Sequence, residues 1–196
     1  LWFPAHPWEQ LLDSGGFRIL TEGKGIKVKD IEGKWYYDGL AGATMMSVGH
    51  RRPEIIEAIE KQLGSLHFAN LTFANVSIPV IKLAERLASL TPGDLNYVLF
   101  TNSGSEAVET ALKVAYQYHV NRGEPQRLKF VARKGGFHGM TLGALSLTSA
   151  GRFAHREVFD PLLSTNVRLA PQPLLYHCEF GSSSQSECDV RCAEAT

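Results

Sequence analysis

The feature that most constrains the fold is an alternation of short apolar runs with longer amphipathic segments between residues 97 and 170. Three runs are typical of strands covered on both faces, at residues 97–100, 128–132 and 167–170. A long helical pattern over 105–121 lies between the first two. This order predicts an α/β fold with an open, mostly parallel sheet and flanking helices. We expect five residues to form the inward face of the long helix: Ala107, Ala111, Val114, Ala115 and Tyr118.

Smaller elements are predicted before this segment. Residues 25–38 have the alternation of apolar and polar residues typical of a β-hairpin, with a turn at Glu32-Gly33. Pro53 is suited to the first turn of a helix. A second helix is predicted over 78–90. We assign residues 1–70 to an N-terminal segment with the hairpin and the helix, and residues 71–196 to the first part of a larger domain. A serine-rich run at 182–186 is expected to be a flexible loop.

Charge and cysteine usage narrow the class of protein. Twenty acidic residues balance twenty basic ones, so the net charge points to neither a nucleic-acid nor a membrane partner. Cys178, Cys188 and Cys192 contain no C-x-x-C pair, so we assign no metal site and expect reduced thiols in an intracellular protein. Because the chain begins with Leu1, a preceding transit segment stays open, and the choice between cytoplasm and mitochondrion is not resolved.

A short polar segment at residues 101–107 joins an apolar run to the long helix. Ser103 and Glu106 have the spacing of a capping box, which would begin the helix here. Gly104 would let a ligand approach the backbone, and Ser105 adds a hydroxyl to the unpaired first-turn amides. Two interpretations are about equally supported by spacing alone: an anion site for a small phosphorylated ligand, or a helix cap with no ligand.

A second segment, Phe137-His138-Gly139, follows the middle apolar run. An aromatic ring at the carboxyl end of a strand could stack on a flat heteroaromatic ligand. Alternatively, Phe137 belongs to the core and His138 is satisfied by a nearby carbonyl. The residues alone favour this second interpretation.

Taken together, these segments resemble the class III, ω-amino-acid:pyruvate-like, pyridoxal-phosphate-dependent aminotransferases. The similarity covers nearly the whole chain. It is carried by the run from Asn102 to Lys113, by Phe137-His138-Gly139, and by further matches at 38–42, 49–50, 53, 90–94 and 176–181.

The resemblance implies a type I PLP-dependent transferase fold, present here in part, and pyridoxal 5′-phosphate (PLP) as cofactor. It places Ser103, Gly104 and Ser105 at the cofactor phosphate, Phe137 on the pyridine ring and His138 beside it. The family works as homodimers, so residues 1–70 are expected to supply small-domain elements and dimer contacts, and residues 71–196 the cofactor-binding domain. Thr44 would line the substrate pocket, where many pyruvate-dependent relatives have a tryptophan.

The same resemblance implies a transaminase that moves an amino group from an ω-amino acid or amine to an oxo acid such as pyruvate. The family's catalytic lysine and ring-binding aspartate would lie beyond Thr196. None of the nine lysines occupies the catalytic position, and Lys134 is expected to be a solvated loop residue. We therefore assign no catalytic residue within the chain and expect it to be inactive alone. The alternative is a non-catalytic relative that binds a phosphorylated ligand or dimerises with a full-length protein.

Overall fold

The computed structural model describes residues 8–150 and 156–196, which form two compact units, with the boundary along the chain between Val98 and Leu99. The first unit contains, in chain order, α1 (Trp8–Asp13), β1 (Leu20–Lys24), β2 (Lys27–Asp30), β3 (Trp35–Tyr37), α2 (Pro53–Leu63) and α3 (Ile78–Ala88). The second contains α4 (Gly104–Asn121), β4 (Phe130–Arg133), α5 (Leu142–Leu147), α6 (Arg156–Phe159), β5 (Val167–Ala170) and α7 (Gln185–Glu194). The functional boundary placed at residue 70 stays a prediction.

The predicted hairpin is confirmed, and β1 extends it to a three-stranded antiparallel sheet. Asp30 holds the tight turn, because one carboxylate oxygen accepts the backbone N–H groups of Lys34 at 2.8 Å and Glu32 at 3.1 Å. Its other oxygen accepts the Tyr36 hydroxyl at 2.7 Å. These donors, the Tyr36 hydroxyl first, lower the pKa of the buried Asp30 carboxyl.

Both helices predicted in this unit are confirmed. Pro53 occupies the first turn of α2. Backbone N–H groups in the first turn of a helix have no intrahelical acceptor, so the N–H that proline lacks is not needed there. Helix α3 ends at Ala88, two residues before the predicted end. Neither helix contains a buried residue, so their apolar faces are at most half-buried within the described chain.

The second unit confirms the parallel α/β pattern. Strands β4 and β5 pair in parallel, with Phe130 opposite Val167 and Arg133 opposite Ala170. Helix α5 lies at the centre of this unit, packed against α4 and both strands. Its buried residues, the Thr148 that follows it, one residue from each strand and two from α7 form the core: Ala132, Ala144, Leu145, Ser146, Leu147, Thr148, Ala170, Cys188 and Cys192.

Three expectations are wrong in detail. Residues 97–100 form no strand, and Tyr97 is 99% exposed, because no described segment pairs with this run. The five residues expected on the inward face of α4 are exposed. Val108, Glu109 and Leu112 are half-buried instead, and α4 is joined to α5 through the bonds of Glu109 with the N–H groups of Gly143 and Ala144. Gln185 and Ser186, expected in a flexible loop, begin α7 instead, because Ser184 caps that helix through the N–H of Glu187 at 3.3 Å.

No helix among the described residues combines the length and the apolar character needed to span a bilayer.

Candidate functional site

The start of α4 has the cap that its sequence predicts. The Ser103 hydroxyl oxygen accepts the N–H of Glu106 at 3.2 Å, and the Glu106 carboxylate returns to accept the N–H of Asn102 at 2.8 Å. The second bond reaches the residue before the cap rather than the cap itself, a small departure from the usual capping box. Two of the turn's amides are thereby satisfied by side chains of the same segment.

The next two amides stay available. Within the described residues, no hydrogen-bond acceptor lies at the N–H groups of Gly104 or Ser105. Gly104 is exposed, and a Cβ atom placed on it would meet nothing within 4 Å. The helix dipole adds positive potential at this end of an 18-residue helix. The geometry fits a small anionic group such as a phosphate monoester.

Ser105 joins the two segments that the sequence singled out. Its hydroxyl oxygen accepts the N–H of Met140 at 3.1 Å, across 35 residues of chain, which leaves the hydroxyl proton free to donate to a ligand. Gly139 lies directly against Ser105, at a φ of 131°. A Cβ atom there would overlap the Ser105 hydroxyl and come within 2.9 Å of its Cα. Only glycine therefore permits this close approach of turn and helix.

A buried threonine holds the turn at 135–139. Thr148 is 0% exposed, and its hydroxyl oxygen accepts the N–H of His138 at 2.9 Å. The same hydroxyl group donates toward the carbonyl oxygens of Gly139 at 3.1 Å and Ala144 at 3.0 Å. The position of the His138 backbone thus depends on one side chain at the end of α5.

The two predicted aromatic residues of this turn differ in environment. Phe137 is 57% exposed, so the expectation that its ring belongs to the core is wrong. Its ring is free to stack on a flat ligand. His138 is half-buried, and its backbone amide, rather than its ring, makes the bond to Thr148. Phe137, His138 and Ser105 are thus placed in one region by a single network of hydrogen bonds.

Glu109, on the second turn of α4, is a supporting residue that sequence reasoning did not single out. Its carboxylate accepts the N–H groups of Gly143 at 2.8 Å and Ala144 at 3.3 Å, and so caps α5 from a neighbouring helix. The hydroxyl of Thr141 lowers the pKa of Glu109 most, burial opposes the shift, and the two amides and Lys113 lower it further. No local signal reveals this cap, because its partners lie 34 and 35 residues apart.

Lys134 lies in an exposed turn, as expected of a solvated loop residue, and it also forms an ion pair. Its ammonium nitrogen lies 2.7 Å from the Glu179 carboxylate, and both side chains remain close to half exposed. A charged lysine held in an ion pair is a poor nucleophile, so this contact favours a structural role for Lys134.

Thr44 lies in the first unit, on a loop with unusual backbone geometry. Ala41, Gly42, Ala43 and Thr44 all have positive φ, and the N–H of Thr44 donates to Leu40 O at 3.0 Å. Asp38 anchors the loop by accepting the N–H of Gly42 at 3.1 Å and by lying 2.9 Å from the His50 ring nitrogen. The contact with His50 is the largest cause that lowers the pKa of Asp38.

Comparison with known proteins places these features in a family context. The family model described as Aminotransferase class-III matches residues 13–195. The chain is 41% identical to the adenosylmethionine-8-amino-7-oxononanoate aminotransferase of Anoxybacillus flavithermus, over 90% of this chain and 37% of that protein. It is 36% identical to the putrescine–pyruvate aminotransferase of Pseudomonas aeruginosa, over 97% of this chain and 41% of that protein.

A solved transaminase structure is also similar to this chain. The PLP-bound amine transaminase from an uncultivated Pseudomonas species superposes with a TM-score of 0.86, at 29% identity, over 99% of this chain and 43% of that one. The chain thus spans about two fifths of the length of these relatives.

Proposed function

The chain belongs to the class III aminotransferases and has the type I fold of PLP-dependent transferases, and from this we propose its function and the roles of its site residues. PLP is the cofactor of this family. We infer that the protein transfers an amino group from an ω-amino acid or amine to an oxo acid such as pyruvate. The observation that carries the proposal is the contact of Ser105 with Met140, which brings the anion-binding start of α4 next to the Phe137-His138-Gly139 turn.

The cofactor phosphate is assigned to the start of α4. The unpaired N–H groups of Gly104 and Ser105 and the free hydroxyl proton of Ser105 supply three donors to one phosphate group. Ser103 shapes this site by capping the helix, and its own hydroxyl proton is a further donor. The helix dipole and the absence of a side chain at Gly104 favour a doubly charged group here.

The ring of the cofactor is assigned to Phe137, with His138 beside it. The exposed face of Phe137 offers an apolar surface for stacking, and the bond from His138 N–H to Thr148 fixes where that surface lies. When bound, PLP carries the amino group between the substrates and withdraws electrons from the donor carbon. The residues of this site position it and do not themselves move a proton.

The remaining roles rest on family membership. We place Thr44 at the substrate pocket, and a second copy of the protein as partner, since the apolar faces of α2 and α3 contain no buried residue. The putrescine–pyruvate aminotransferase relative supports an amine donor and pyruvate as acceptor. We assign the Schiff-base lysine and the ring-binding aspartate to residues beyond Thr196, and so expect no turnover from the 196 residues alone.

Binding of PLP and of pyridoxal to the purified chain, followed by equilibrium dialysis, tests the phosphate assignment. Loss of a hydrogen bond to a charged group costs about 1.5–3 kcal/mol, so Ser105→Ala should weaken PLP binding roughly ten- to hundredfold. Pyridoxal, which lacks the phosphate, should bind weakly to both the unaltered chain and the Ser105→Ala variant. Ser186→Ala is the matched control, because Ser186 holds the equivalent second position in α7 after the cap Ser184.

Equal binding of PLP and pyridoxal, or equal losses in the two serine variants, would contradict the phosphate site. Turnover is tested separately with an amine donor and pyruvate, followed by borohydride reduction and peptide mapping. A PLP adduct on Lys134 together with turnover by the isolated chain would overturn the assignment of the catalytic lysine to later residues. PLP binding without turnover in the longest natural form of the protein would instead select the non-catalytic alternative.

A further inference from the structure

The 39–49 loop, which follows β3, contains a run of left-handed backbone. Four consecutive residues have positive φ, from 49° at Ala41 to 71° at Thr44, and Gly42 is the only glycine among them. A Cβ atom makes left-handed backbone unfavourable, and Thr44 is in addition β-branched. Such a run persists only where the surrounding structure holds it. The loop must therefore be held in this conformation by its contacts.

Burial does not supply those contacts within the described chain, because residues 42–48 are exposed. The backbone bonds inside the loop are local. The N–H of Thr44 donates to Leu40 O at 3.0 Å, and the N–H of Met46 donates to Ala41 O at 2.8 Å. Exposed bonds of this kind compete with water, so the course of the loop has to be fixed at its base.

Both ends of the loop are tied to one turn, residues 25 and 26, between β1 and β2. The N–H of Asp38 donates to Ile26 O at 2.9 Å. His50 exchanges two backbone bonds with Gly25, at 2.8 and 3.1 Å. The residues that precede and follow the loop are therefore brought side by side by the antiparallel sheet.

A pair of side chains closes the loop across this base. The His50 ring Nε2 lies 2.9 Å from Asp38 Oδ2, and the two side chains are 21% and 15% exposed. The other carboxylate oxygen, Asp38 Oδ1, accepts the N–H of Gly42 at 3.1 Å, inside the left-handed run. Gly23 on β1 leaves room for the ring, since a Cβ atom there would lie 2.7 Å from His50 Cγ. Asp38 thus links the left-handed run to the far end of the loop.

We propose that Asp38 and His50 are positioning residues for the amino donor: their bond keeps residues 41–44 left-handed and so sets where the side chain of Thr44 is presented. This inference rests on the function proposed above, which places Thr44 at the substrate pocket. The direction of a side chain follows from the backbone conformation, so a return of Thr44 to right-handed or extended backbone would redirect its hydroxyl and methyl groups. Neither Asp38 nor His50 has to touch the substrate in this role.

Hydrogen exchange at the Thr44 and Met46 amides, followed by NMR in the 196-residue chain, tests the pair itself. His50→Leu removes the ring nitrogen, and both amides should then exchange about tenfold faster, because loss of a hydrogen bond to a charged group makes local opening easier. His50→Gln keeps an N–H donor at about the reach of Nε2 and should restore most of the protection. His119→Leu is the matched control, since it removes a similar pair in the second unit, 3.0 Å from Glu124, and it should leave both amides unchanged.

Because His50→Leu could unfold the first unit, Asp38→Asn is the milder second variant. It keeps the size of the side chain and an oxygen for the N–H of Gly42, but it removes the charge that faces His50. The exchange of the Thr44 amide should change in the same direction as in His50→Leu, by a smaller factor.

The consequence for the substrate is measured in the longest natural form of the protein, loaded with PLP. In His50→Leu the KM for an amine donor should rise about tenfold with little change in kcat, and His50→Gln should restore it. PLP affinity should stay the same in both variants, because the pair lies outside the residues assigned to the cofactor. A general loss of stability would not separate KM from kcat in this way.

Unchanged exchange in His50→Leu, or equal acceleration in His119→Leu, would overturn the role of the pair. Faster exchange with an unaltered KM would show that the 39–49 loop does not form the donor pocket; continued turnover would then leave the proposed function standing. A protein that turns over no amine even when unaltered would instead contradict the proposed function, and this inference with it.

Discussion

Replacing Thr148 by valine isolates the hydrogen bonds that hold the Phe137-His138-Gly139 turn. Valine has nearly the shape of threonine and is at ease in the extended backbone of this position, where φ is −77° and ψ is 134°. The variant therefore removes the buried hydroxyl without opening a cavity or straining the chain. What it leaves behind is the N–H of His138, now without its acceptor.

The magnitude follows from the hydrogen bonds that the valine side chain cannot make. A net intramolecular hydrogen bond contributes about 1 kcal/mol, and an unsatisfied buried donor costs about 1–3 kcal/mol. Two carbonyl oxygens are also deprived of a donor, but the Ala144 oxygen still accepts the Thr148 N–H at 3.1 Å. We expect the free energy of unfolding to fall by about 2 kcal/mol. Thr148→Ser keeps the hydroxyl and removes one methyl group, which costs about 1 kcal/mol.

Urea unfolding of the three proteins, followed by far-UV circular dichroism, measures both differences under one set of conditions. The expected order of stability is the unaltered chain, then the serine variant, then the valine variant. PLP binding should follow the same order, since Thr148 positions the turn that carries Phe137. A valine variant at least as stable as the serine variant would show that the hydroxyl does not hold the turn.

Three further predictions concern the second unit, one of them with a control glycine in the first. Glu109→Gln weakens the cap of α5 and should lower the free energy of unfolding by about 1 kcal/mol at neutral pH. Because the folded-state pKa of Glu109 is lowered, the stabilisation by its carboxylate is present above the ordinary pKa of 4.5 and is lost as pH falls through the lowered pKa. The difference in unfolding free energy between the unaltered chain and the variant, measured in urea, should therefore narrow in acid. Gly139→Ala should abolish PLP binding in dialysis, because the new Cβ atom would overlap Ser105. Gly93→Ala is the control: Gly93 has a φ of 65° and open space around it, so this change should cost only about 1 kcal/mol of stability and leave PLP binding unchanged. Lys134→Gln should change the free energy of unfolding by less than about 1 kcal/mol, because the ion pair of Lys134 is solvent-exposed. The difference should vanish at high salt. A larger loss in unfolding experiments would point to a role of Lys134 beyond that pair.

Features that depend on residues within about four positions of one another were predictable from the sequence. The cap at Ser103 and Glu106, the hairpin turn at Glu32-Gly33 and the first turn of α2 at Pro53 all have this character. Each is stabilised by bonds or backbone preferences that operate inside a single element, so a local pattern contains the necessary information. The family likewise follows from such motifs.

The tertiary structure decided which faces and segments meet. The run at 97–100 has the composition of a strand, but a strand exists only with a hydrogen-bonded neighbour, and composition does not supply one. The contact of Ser105 with Met140 and the cap that Glu109 provides for α5 join residues from separate segments of the chain. Helical or strand periodicity indicates that a face is apolar, and packing alone determines what covers it.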